Sequence, residues 1–183
     1  HDELTYELVH WSAGHRDDVY TYKGHEITGE ELGHSVRTDL IEALTGPDAS
    51  YNLVFTTNGI ACTTATVIAA TLGITDLEQI TDIDRIRRAH LLLAMFNALQ
   101  PGVFALSGWD LCGMLTLPPA EVGELLRGGD TRWIHRAAHD LMGVNPGASH
   151  SSAGMPRGTS LYGSIPDQLA QETSFLRQLQ AIL

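Results

Sequence analysis

Ile83-Asp-Arg-Ile-Arg-Arg-Ala-His-Leu-Leu-Leu-Ala-Met-Phe-Asn-Ala-Leu-Gln100 runs into Pro101-Gly102 and then Val103-Phe-Ala-Leu-Ser107-Gly-Trp109-Asp110. The first stretch reads as a helix with arginines near its start. From Leu91 to Leu99 it is apolar on nearly all sides, which predicts a largely buried helix. Pro101-Gly102 stops it. Val103–Ser107 is short, apolar and β-prone, so a strand is expected next.

Upstream, Leu4–His10 partly alternates and is rich in strand formers, which predicts a strand. Trp11–Gly29 reads as a polar, His- and Asp-rich loop. Thr28-Gly-Glu-Glu31 has capping-box spacing and opens a helix through about Leu44, which Gly46-Pro47 ends. Tyr51–Thr57 is a second candidate strand, and Cys62–Leu72 a buried helix bounded by Gly73. Downstream, Pro118-Pro119 starts a short helix through Leu126, and Trp133–Met142 is another. Gly143–Gly163 is rich in Gly, Ser and Pro and reads as a long surface loop or mobile segment. The final helix, from about Asp167, carries Phe175, Leu176, Leu179 and Ile182 on one face. Strands alternating with helices predict an α/β fold, a parallel sheet with helical crossovers.

The 183 residues have room for one domain, but a complete (β/α)₈ barrel needs about 250. Eleven basic residues, of which Lys23 is the only lysine, stand against 22 acidic ones, for a net charge of −11. No basic stripe can be built from that, so a nucleic-acid partner is not expected. No apolar run approaches the roughly 20 residues of a membrane span. Two cysteines, Cys62 and Cys112, make no disulfide framework and fit a reducing, cytoplasmic setting. The start at His1 rather than Met, with no signal peptide, suggests that chain is missing upstream.

In parallel α/β folds ligands bind beyond the carboxyl ends of strands. There lie His10, Trp11, His15, Arg16, Asp17 and Asp18, then Thr56-Thr-Asn58-Gly59, then Ser107-Gly-Trp109-Asp110 and Cys112. Trp11 and Trp109 offer flat faces suited to a sugar ring, or to capping the core under a loop. His10, His15, Asp17, Asp18 and His25 match no zinc spacing, and no metal or cofactor is expected. Thr56–Gly59 lacks a phosphate-loop pattern and reads as a helix cap. A thiol enzyme or esterase using Cys62 or Ser107 lacks a base adjacent in sequence.

The Ile83–Gln100 helix followed by Pro101-Gly102-Val-Phe-Ala-Leu-Ser-Gly-Trp-Asp110 resembles the end of the catalytic barrel in the α-amylase superfamily of glycoside hydrolases. Leu4–His10, Tyr51–Thr57 and Val103–Ser107 would be its sixth, seventh and eighth strands. Phe55-Thr-Thr-Asn-Gly-Ile-Ala-Cys62 and Leu161-Tyr-Gly-Ser-Ile-Pro-Asp-Gln-Leu169 look most like a divergent type of trehalose synthase, which interconverts maltose and trehalose. The resemblance implies the C-terminal portion of a (β/α)₈ barrel over 1–142, a loop over 143–165 and a terminal helix over 166–183. It implies a retaining mechanism whose nucleophile and acid/base precede His1, so that the fragment alone is inactive. Asn58 and Asp110 become catalytic-site candidates, although Asn58-Gly-Ile60 stands where the superfamily has Asn-His-Asp. His10, Trp11, Arg16 and Trp109 become candidate contacts for a small saccharide substrate. The other expected partner is the rest of the barrel, or a second copy covering the strand edges at Leu4–His10 and Val103–Ser107. The alternative is a complete small α/β binding or regulatory domain with no catalysis of its own.

Overall fold

A computed structural model of the chain describes residues 10–45, 55–56, 59–60, 62–74 and 80–183. Thr28 and Glu31 form the box their spacing predicts. The Thr28 amide and hydroxyl donate to Glu31 Oε2 at 2.8 and 3.0 Å, and the Glu31 amide donates back to Thr28 Oγ1 at 3.2 Å. They open helix α1, Gly29–Thr45. A π-helical turn at His10–Gly14 packs on α1. A β-carbon at Gly29 would overlap the carbonyl oxygens of Trp11 and His15, so only glycine allows that approach.

The stretch Trp11–Gly29 is not simply a loop. Val19–Tyr22 (β1) and His25–Thr28 (β2) form an antiparallel hairpin with Tyr22 opposite His25. Lys23 and Gly24 close it, both at positive φ (50° and 83°), which is the backbone of a tight two-residue hairpin turn. Phe55–Thr56 (β3) pairs with Gly59–Ile60 (β4), again antiparallel. Of the predicted Tyr51–Thr57 strand only Phe55–Thr56 is described, and the rest lies outside the described residues. The fold therefore mixes helices with strands, but both strand pairs among the described residues are antiparallel hairpins in place of the expected parallel sheet. Hairpins close in two residues, whereas parallel pairing needs a crossover of a dozen or more. Residues 4–9 of the predicted Leu4–His10 strand lie outside the described residues, and His10 stands in the π-helical turn.

Helix α2 (Thr64–Thr71) and helix α3 (Ile80–Ala98) follow their predicted bounds closely. Ile86, with Ala89 and Leu93, packs on Val67, Ile68 and Ala69 of α2. Leu91 and Ala94 face the C-terminal helix. Leu92, Phe96 and Leu99 are 62, 58 and 77 % exposed, so α3 is not buried all round. Val103–Ser107 forms no strand. Its alternation is real, but Phe104 and Leu106 turn to Leu91, Ala94, Phe175 and Leu179 rather than into a sheet face.

Beyond it come the short helix α4 (Gly108–Cys112), a 3₁₀ turn at Pro119–Glu121, α5 (Gly123–Leu126) and a 3₁₀ turn at Thr131–His135. The predicted Trp133–Met142 helix stops at that turn, and beyond it Ala138 bridges to Arg157. The C-terminal stretch is two helices, α6 (Ile165–Leu169) and α7 (Phe175–Ile182), capped by Ser164 and Ser174. No helix among the described residues is long and apolar enough to cross a membrane.

Two buried polar networks tie these pieces together. Thr63 and Thr66, at the head of α2, exchange hydrogen bonds with Thr116: the Thr63 amide donates to Thr116 Oγ1 at 3.1 Å and the Thr116 amide to Thr66 Oγ1 at 2.8 Å. Gln168, 1 % exposed, donates from Nε2 to the carbonyls of Leu111 (2.8 Å) and Gly163 (3.2 Å) and accepts from the Leu176 amide (3.1 Å). Gln168→Leu keeps a similar volume but strands these three backbone groups. It should cost about 2–4 kcal/mol in urea unfolding, against less than about 0.5 kcal/mol for the exposed Gln180→Leu.

Candidate functional site

The turn Ser107-Gly-Trp109-Asp110 is set by hydrogen bonds. The Ser107 amide and hydroxyl donate to Asp110 Oδ2 at 3.2 and 2.6 Å, which fixes the start of α4. Asp110 is 9 % exposed, and its other oxygen faces inward, 3.6 Å from Nε2 of His90 on α3. That is ion-pair distance without a hydrogen bond, and neither atom has a hydrogen-bond partner among the described residues. The Nδ1 side of His90 meets the Tyr162 hydroxyl at 3.1 Å, and its ring packs on Phe175 with centroids 4.7 Å apart. Burial works to raise the Asp110 carboxyl. His90, Ser107 and Thr64 outweigh it and hold the group below its ordinary value. Burial also pushes the Tyr162 phenol well up, so it stays protonated.

Trp109 is half-buried beside Cys112 and Met114, its ring centroid 6.0 Å from that of His135. Trp11, also half-buried, and His10 lie in the π-helical turn. Arg16, at the exit of that turn, donates to Glu30 at 2.6 Å. His15 meets Asp18 at 2.7 Å. The structure thus groups His10, Trp11 and Arg16 against α1, and Trp109 with Asp110 on α4. Asn58 lies outside the described residues. Cys62 and Cys112 are both reduced and buried, and Ser107 Oγ is engaged with Asp110. Among the described residues no three His, Cys, Asp or Glu side chains converge as a metal-holding group.

A cleft that no sequence pattern announces lies elsewhere. Residues 140–167, with Glu121 opposite, wall a space of about 620 Å³. The Gly/Ser/Pro-rich stretch that reads as mobile is framed. Asp140 accepts from the amides of Val144 (2.9 Å) and Asn145 (2.7 Å). Arg157 Nη1 donates to the carbonyls of Asn145, Pro146 and Ala148 at 2.8–3.2 Å. Bridges from Met114 to Ser160 and from Ala138 to Arg157 fasten the far wall. The only sequence signal for this is Asp140 and Arg157 flanking a loop, since side-chain to backbone bonds follow no periodicity.

No protein-family model, curated protein or solved structure matches this chain.

The Asp110 carboxyl sits lower folded than unfolded. Its contribution is therefore present above the unfolded value, near pH 4, and lost as pH falls through the folded one. As pH falls below about 4 the protein should lose stability in urea titrations, and Asp110→Asn should flatten that slope while lowering stability at neutral pH.

Proposed function

We propose that this chain is a segment of a carbohydrate-active enzyme of the α-amylase superfamily, a trehalose synthase interconverting maltose and trehalose by retaining transfer at α-glucosidic bonds. The observation that carries this reading is the Ser107–Asp110 turn. It follows a long helix and Pro101-Gly102, anchors Asp110 to α3, and holds Trp109 half-buried next to it. An aromatic face held rigidly beside a polar turn is what stacking on a glucose ring requires. In this reading the segment belongs to a (β/α)₈ barrel. Val103–Leu106, alternately exposed and half-buried, is the stretch that neighbouring barrel strands would pair with. The nucleophile and the acid/base lie outside these residues. Asn58 donates to a sugar hydroxyl, and Asp110 shapes the site from within. His10, Trp11 and Arg16 contribute further sugar contacts. Two buried thiols in an acidic chain fit a cytoplasmic enzyme.

A second reading, a small binding or regulatory domain with no chemistry of its own, is favoured by one observation. The cleft of about 620 Å³ is lined by residues from within 121–167, and none of the candidate sugar contacts is among them.

Trp109→Ala in an enzyme carrying this segment should lower kcat/KM on maltose about tenfold or more at a temperature where circular dichroism shows the variant still folded. Unchanged kinetics would remove Trp109 from the site. The 183 residues alone should form neither trehalose nor glucose from maltose, and product formation by them would overturn the placement of the catalytic carboxylates.

A further inference from the structure

We propose that the cleft walled by residues 140–150 and 157–167 binds a neutral polyhydroxylated ligand, a glucose-containing disaccharide. Only the choice of ligand rests on the carbohydrate-enzyme reading; the site is a different one from the Trp109 turn.

The walls are built before any ligand arrives. Three carbonyls converge on Arg157, and two amides on Asp140, so the loop between them is fixed by its own half-buried polar groups. Gly143 lies so close to Ser164 that a β-carbon there would sit 3.2 Å from its hydroxyl, which brings the two walls together at one end. The volume, about 620 Å³, is within the ~300–1,000 Å³ of small-molecule sites.

The lining chemistry selects the ligand class. Glu121, Asp140 and Asp167 line it with three carboxylates against one guanidinium, Arg157, together with His150 and Thr159; Asp167 Oδ2 already accepts from the Ser164 hydroxyl at 2.6 Å. Burial works to raise Asp140, but the Asn145 and Val144 amides and the Arg157 charge outweigh it and keep it ionised. An excess of carboxylates, in a chain of net charge −11, disfavours phosphates and other anions. Ionised carboxylates are acceptors only, so they call for hydroxyl donors. The Thr159 hydroxyl supplies a donor in return. Arg157 Nη1 stays on its three carbonyls and His150 Nδ1 on Ser149 Oγ, which leaves their other guanidinium and ring nitrogens to a ligand. Alternating donors and acceptors around a ring are what a sugar presents. Glu121 and Thr159 are exposed, and their side chains make no hydrogen bond among the described residues, so both can turn to a ligand.

The test is a titration of the ¹⁵N-labelled 183-residue protein with trehalose, maltose and, separately, inorganic phosphate. The disaccharides should shift the amides of Asn145, Thr159 and Gly163, and phosphate should not. Thr159→Trp, which fills the mouth, should weaken disaccharide binding at least about tenfold without lowering the melting temperature. Glu121→Gln, removing one acceptor at an exposed position, should weaken it several-fold and serves if the tryptophan variant does not fold. No disaccharide binding, shifts confined to other regions, unchanged affinity in both variants, or binding of phosphate in place of sugar would each overturn the proposal. Loss of binding in Trp109→Ala but not in Thr159→Trp would also overturn it, while leaving the enzyme reading intact. The reverse pattern would support the cleft whatever the kinetics of Trp109→Ala show.

Discussion

A single buried amide side chain sets the arrangement of the C-terminal half. Gln168 reaches α4 through Leu111, the approach to α6 through Gly163, and α7 through Leu176. A carboxamide has two N–H donors and an oxygen with two lone pairs, and here both donors and the oxygen go to backbone groups that are otherwise hard to satisfy away from water. Ser174, which caps α7, donates to the carbonyl of Gln168 itself, so the same residue is held from both ends. Apolar contacts among Leu91, Phe175 and Leu179 supply the driving force for this packing, but they are not directional. The amide decides which of many greasy arrangements is adopted.

The His90–Asp110 contact does for α3 and α4 what Gln168 does for α6 and α7. A carboxylate and an imidazole removed from water are stable only with compensating partners. Asp110 has them on one oxygen, from Ser107, and His90 has one on Nδ1, from Tyr162. What lies between is the 3.6 Å contact. Long helix and turn are thereby locked in a fixed relation, which gives Trp109 a rigid base.

Helices α1, α2 and α3 were legible because their signals are local: a capping box, a small-residue run bounded by Gly73, and an apolar stretch ended by Pro101-Gly102. The exposure of Leu92, Phe96 and Leu99 was not, since periodicity reports apolar positions and not how many neighbours exist to cover them. Lys23-Gly24 between β-prone residues was a hairpin signal that the surrounding His and Asp residues obscured. Val103–Ser107 shows the limit of alternation as a strand signal. Period-two burial needs only two different environments on either side of an extended chain, and helices supply one as well as a sheet does. Of the candidate site, Trp109 and Asp110 were found together because they are adjacent in sequence. His90, Tyr162 and the 140–167 cleft were not found. His90 and Tyr162 meet across 72 positions of chain, and the cleft is held by side-chain to backbone bonds that leave no pattern.

Gly113 ends α4 in the left-handed region, at φ 62°, and the ring of Tyr162 lies against its missing side chain, 2.6 Å from where a β-carbon would stand. The conformational need and the steric need coincide at one residue. The ring that fills this space also carries the hydroxyl that meets His90 and stacks on Phe175. A methyl group at position 113 would therefore be transmitted, through one displaced phenol, to a histidine it never touches. Residues 113, 162 and 90 form a unit of inheritance, in which a change at the first is tolerable only with a smaller ring at the second and a new partner for the third.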